Sequence, residues 1–100
     1  MAIMQTDPSF CRLDVWLWRA RFFKTRALSA RACDSGHIRI ERFGKVVRVE
    51  KPSTFIKPDD HLIFALGTRL LDIVVVDTGE RRGPAPEAQS LYRHAEPSRE

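Results

Sequence analysis

A chain of 100 residues, 43% hydrophobic and 30% charged, builds one packed core, which argues against wholesale disorder and against a second domain. Its formal net charge of +4 and pI near 9.6 point to an anionic partner. No apolar run approaches the ~20 residues that span a bilayer, and "MAIMQTDPSF" lacks the basic-then-apolar pattern of a signal peptide, so a cytoplasmic location away from membranes is expected.

Residues 1–10 are expected to be a flexible N-terminus. In "CRLDVWLWRA", Leu13, Trp16, Leu17 and Ala20 recur at helical spacing, which predicts an amphipathic helix of about two turns. Arg12 and Arg19, seven apart, then lie on one side of it, beside the apolar stripe. "RFFK" breaks the period and reads as a connection. Thr25 is a good N-cap for a second helix, "RALSARACDS", and Gly36 is placed to end it in the left-handed conformation.

After Gly36 the period drops to two. Ile38 and Ile40 alternate with Arg39 and Glu41, and Val47 and Val49 with Arg48 and Glu50, which predicts two half-buried strands joined by a hairpin at "ERFG". "KPSTFIKPDD" reads as a bent crossing with a brief extended piece at Phe55 and Ile56. "HLIFALGTRLLDIVVVD" makes a second hairpin around Leu66-Gly67-Thr68-Arg69, with Leu62, Phe64, Leu71, Ile73 and Val75 in the core. Beyond Asp77, "TGERRGPAP" is a linker, "EAQSLYRH" reads as a two-turn helix, and "AEPSRE" is expected to fray. The order implies an α+β fold: two short N-terminal helices packed on a small, mainly antiparallel sheet, with a short C-terminal helix. The domain is expected at 11–78, followed by a C-terminal extension at 79–100.

Charge is unevenly spread. Residues 12–51 hold eleven Lys or Arg against Asp14, Asp34, Glu41 and Glu50, a balance of +7, whereas residues 52–100 carry −2 and Asp7 a further −1. The basic half is therefore the candidate interaction surface, with nucleic acid ahead of an anionic membrane as its partner. Its densest stretch is "RARFFKTRALSAR". The free amides at the start of the second helix carry partial positive charge, so the turn before Thr25 is an anion site, with Lys24 and Arg26 flanking it and Arg12, Arg19, Arg21 and Arg31 around it. Phe22 and Phe23 either anchor this turn in the core or offer a ring to an unpaired base.

"RLDVWLWRARFFKTRALSARACDSGHIRI", followed by "KPSTFIKPDDHLIF", resembles the S-four RNA-binding domain family, the alpha-L motif, in its stand-alone ribosome-associated heat-shock form of fifteen kilodaltons. The resemblance runs from about Arg12 to Tyr92, and "RLD", "KTR" and the Gly after the second helix make it specific. It implies two short helices docked on a small sheet. It also implies binding of structured RNA, typically ribosomal RNA, or of the ribosomal large subunit, through Arg12, Arg21, Lys24, Thr25, Arg26 and Arg31, with His37 and Arg39 at the edge. Two departures stand out. Where the family often has a tight Asn-Gly turn, Glu41-Arg42-Phe43-Gly44 predicts a longer loop with Phe43 exposed, and a usual Gly-Asp is here Asp59-Asp60.

Catalysis finds little support. His37, His61 and His94 are scattered, "GERRG" is not a phosphate-cradling loop, and "DDH" at 59–61 reads as a solvated turn rather than a metal site. Asp14 is better placed to tether an arginine than to transfer a proton. Cys11 and Cys33 lack metal-ligand spacing and read as buried thiols. Neither cofactor nor metal is expected, and the chain is expected to be a monomer. The alternatives are a DNA-binding helix-turn-helix protein and, behind it, a subunit of an RNA-modifying enzyme. The second helix offers few base-reading side chains beyond Arg26, Ser29 and Arg31, which favours recognition of RNA by shape and phosphate. The remaining reading, a protein partner at Trp16 or Trp18, turns on exposure: Trp16 fits the core stripe, while Trp18 lies nearly opposite.

Overall fold

A computed structural model describes residues 10–95. The flexibility expected of residues 1–10 and the fraying expected of 95–100 lie outside that range except at Phe10 and Ala95. The chain enters as a two-residue strand β1 (Cys11–Arg12), where the sequence period already predicts helix; helix α1 (Leu13–Arg19) starts two residues later than expected. The reason is a distant pairing. Cys11 and Arg12 lie antiparallel to Ile56 and Phe55 of β4 (Phe55–Ile56), the brief extended piece expected between the two prolines.

Leu13, Trp16, Leu17 and Ala20 are buried, as their spacing requires. At the end of α1 the Arg21 amide bonds the Trp18 carbonyl at 3.0 Å and the Phe22 amide bonds that of Leu17 at 3.0 Å. This is a Schellman closure with Arg21, at φ +67, in the left-handed position that usually takes glycine. The closure turns Phe22 inward, where its ring centroid lies 5.3 Å from Phe64 and 4.7 Å from Tyr92. Phe23 also packs against the core, so both rings of the pair serve chiefly as anchors. Helix α2 (Arg26–Asp34) follows, capped by Thr25, whose hydroxyl accepts from the Leu28 amide at 3.0 Å, and stopped at Gly36 with φ +80. It meets α1 through Ser29 and Cys33, and the Ser29 hydroxyl donates to the Asp14 carbonyl at 2.7 Å.

Strands β2 (Arg39–Arg42), β3 (Lys45–Arg48), β5 (His61–Leu66), β6 (Arg69–Val75) and β7 (Tyr92–His94) form a fully antiparallel sheet in the order β3-β2-β5-β6-β7. Leu62, Phe64, Leu71, Ile73 and Val75 are all buried, and the register sets Leu62 opposite Ile73 and Phe64 opposite Leu71. The β2–β3 loop corrects the sequence reading. Arg42 pairs with Lys45, leaving a two-residue turn of Phe43 and Gly44, both at positive φ (+55 and +77), rather than a longer loop. That geometry matches the right-handed twist of its strands, and Phe43 is exposed as expected.

The C-terminal extension differs more. Its helix α3 (Ala85–Gln89) is shorter than the two turns expected, and Tyr92–His94 instead join the sheet as β7 against Ile73, Val74 and Val75. Leu91, between them, is buried in the core. The fold is α+β, with the core between the helix pair and one sheet face.

Candidate nucleic-acid interface

The arginines of the basic stretch have unequal freedom. Arg12 donates twice to the buried carboxylate of Asp14, at 3.0 and 2.9 Å, and stays about half exposed; this is the tether expected of Asp14. The ion pair raises the Arg12 pKa further, chiefly through the hydrogen bond to Asp14. Arg19 turns the other way, donating to the carbonyls of Thr78 at 3.2 Å and Gly79 at 2.9 Å. Arg21 donates to the Gly83 carbonyl at 2.7 Å. Arg82 crosses back to the Trp18 carbonyl at 3.0 Å, and its guanidinium carbon lies 5.8 Å from the Trp18 ring centroid. Trp18 thus meets the C-terminal segment, while the Trp16 indole, buried, donates to the Asp77 carbonyl at 2.9 Å.

Two of the nine residues singled out from sequence, Arg19 and Arg21, therefore hold segment 77–83 against α1. Lys24, just before α2, and Arg26 and Arg31 along it are exposed, with no carboxylate partner among the described residues. Thr25 commits its hydroxyl to the cap. His37 and Arg39 are exposed, but strand alternation sends Arg39 to the face opposite Ile40, away from the core and its helices. Arg19 and Arg26 pull the pKa of the buried Cys11 thiol down, and Arg12 that of Cys33. Burial outweighs them and pushes both thiols up, that of Cys33 to about 12, as suits inert core residues.

A second group of cations escaped the sequence reading. Arg42 lies within hydrogen-bond reach of Asp60, with Nε 2.8 Å from Oδ1, and donates from Nη2 to the Phe55 carbonyl at 3.2 Å. Lys45 faces it across the ladder. The signal was the Arg42-Phe43-Gly44-Lys45 spacing, which places two cations side by side once the turn has two residues. No helix among the described residues is long and apolar enough to cross a membrane, and no cluster of three His, Cys, Asp or Glu among them fits a metal.

An S4 domain model matches residues 11–42, which contain β1, α1, α2 and β2. The trimeric structure of Vibrio cholerae heat shock protein 15 superposes with a TM-score of 0.75 at 34% identity, covering 86% of this chain and 82% of that one. The chain belongs to the heat shock protein 15 family. It is also 36% identical over 81 residues to Escherichia coli heat shock protein 15, and 33% over 88 residues to the Haemophilus influenzae homologue. These alignments cover 81% and 87% of this chain but 57% and 63% of the relatives, so it spans about three-fifths of their length. The fold of that Vibrio cholerae neighbour agrees with the α+β architecture, and its trimeric state gives no support to the monomer expected from sequence.

Proposed function

We propose that this chain binds structured RNA, ribosomal RNA above all, as a non-catalytic member of a cytoplasmic, ribosome-associated heat-stress system. One observation carries the reading: Lys24 and Arg26 at the capped start of α2, and Arg31 in its last turn, stand exposed with no carboxylate ion-pair partner among the described residues, while Asp14 is already neutralised by Arg12. Unpaired cations on a rigid helix gain most from a phosphate backbone, which replaces mutual repulsion with charge-assisted hydrogen bonds. The site is Lys24, Thr25, Arg26 and Arg31, with Arg12 at its inner edge and His37 at its rim. Arg19 and Arg21 contribute by holding α1 in place, and Arg39 reaches RNA only if it wraps the sheet edge.

Lys24→Ala with Arg26→Ala is expected to weaken binding to a ribosomal RNA fragment by ~1 to 3 kcal/mol in total, with circular dichroism unchanged. Arg69→Ala with Arg93→Ala, two exposed cations on the other half of the sequence, removes the same charge and is expected to cost far less. Equal losses would reduce the site to a general polycation effect. Tighter binding to duplex DNA of equal length than to RNA would overturn the choice of partner. Sedimentation of the protein alone tests whether it assembles as the Vibrio cholerae relative does.

A further inference from the structure

The β2–β3 turn carries a feature that phosphate binding leaves unexplained. Phe43 is 93% exposed at the tip of the hairpin, with φ +55, a conformation that asparagine or glycine adopts with less strain. Phe55 is 54% exposed and Val47 55% exposed. Together with Ile40, Arg42 and Lys45 they line an open pocket of about 560 Å³, in the size range of sites that hold one small planar molecule. It lies on the sheet face that carries Ile40 and the core, and Phe55, which lines it, is paired in β-register with Arg12 of β1.

Its rim is cationic. Arg42 and Lys45 line it with no carboxylate among the lining residues, and the Lys57 ammonium lies 5.3 Å from the centroid of the Phe43 ring. The Arg42 guanidinium is fixed by Asp60 and by the Phe55 carbonyl. An apolar protein segment would leave Lys45 and Lys57 unanswered, and a two-fold pairing of this face with itself would set Lys45 against Lys45. A nucleotide answers both features: its base gains from aromatic platforms and its phosphates from the ammonium groups.

We propose that this pocket takes one unpaired base of the bound RNA, with the rings of Phe43 and Phe55 as stacking surfaces and Lys45 and Lys57 on the flanking phosphates. The proposal rests on the RNA-binding reading and adds a preference to it. The helix face is indifferent to pairing, whereas the pocket selects RNA with a base available outside the helix.

The test compares two RNAs of equal length, a stem with an unpaired loop and a fully paired duplex, with 2-aminopurine in the loop reporting stacking. Phe43→Asn removes the ring while suiting the turn, so the fold is retained; Phe55→Leu is the second variant. Each is expected to weaken stem-loop binding roughly 5- to 100-fold and to reduce quenching of the loop base, leaving duplex binding unchanged. Unchanged stem-loop affinity in both variants, or equal losses on the two RNAs, overturns the pocket while Lys24→Ala with Arg26→Ala still reports on the helix face. If the variants change only the sedimentation of the free protein, the pocket is a protein interface and the proposal fails. Should the unaltered protein bind neither RNA, the RNA reading falls and the pocket assignment with it.

Discussion

Arg12, Arg19 and Arg21 are interchangeable in a charge count, yet three hydrogen-bonding environments separate them: a carboxylate two residues away, and carbonyls about sixty residues along the chain. Only the first was legible in the sequence, because its partner is two residues away along the chain whereas Thr78, Gly79 and Gly83 arrive through the path of the whole chain. Cys33 shows how burial governs chemistry at this scale. Its thiol is fully buried and its pKa is raised, first by desolvation and then by Asp14 and Asp34, from 9.0 to about 12. An unfolded chain therefore loses this proton near pH 9.0 while the folded one retains it until about 12, so the fold binds the proton more tightly. The stability this contributes is present below pH 9.0 and is lost as pH rises towards about 12. Urea midpoints at about pH 8 and about pH 10 should show a steeper decline for the natural chain than for Cys33→Ala. Parallel declines in the two proteins would refute the account.

The longer elements were legible from their period, and the two-residue β4 from the prolines on either side of it. Strands β5 and β6, with six and seven residues, carry enough alternation to show which side is buried. Strands β1 and β7, with two and three, have no period to read, and each exists because a partner strand presents an open edge. The N-cap of α2 was readable because the Thr25 hydroxyl acts within its own turn. The β2–β3 loop was misjudged because Phe43 at positive φ is a choice that residue preferences disfavour. Phe64, 2% exposed on β5 and packed edge-on against Phe22 at an interplanar angle of 88°, links the longest hairpin to the turn after α1. Phe64→Ala is expected to cost ~3 to 5 kcal/mol, a large part of the ~5 to 15 kcal/mol that holds a domain together. Leu70→Ala, at a side chain 74% exposed on the adjoining strand, is expected to change the melting temperature little. Equal shifts in the two melts would mean that the sheet face has been assigned to the wrong side.

For the molecule as a whole, the +7 balance of residues 12–51 sets how binding should respond to salt. Arg12 and Arg42 each already have a carboxylate partner, and Arg19 and Arg21 are engaged by backbone carbonyls, so the free charge is smaller than the count suggests. Lys24, Arg26 and Arg31, with Lys45 and Lys57 if the pocket is occupied, leave about three to five contacts to release counterions. Each contributes a log-log slope of roughly −0.7 on single strands and roughly −0.9 on a B-form duplex, so affinity should fall steeply across ordinary salt concentrations. The distribution of the effect discriminates further. Removing Lys24 and Arg26 should flatten the slope by about 1 per residue, whereas removing the carbonyl-bound Arg19 should lower stability and leave the slope of the surviving folded protein close to its original value. A slope near zero for the natural chain would dispose of the electrostatic argument. A slope reduced as much by Arg19→Ala as by Lys24→Ala would show that segment 77–83 opens when RNA binds and frees that guanidinium for phosphate.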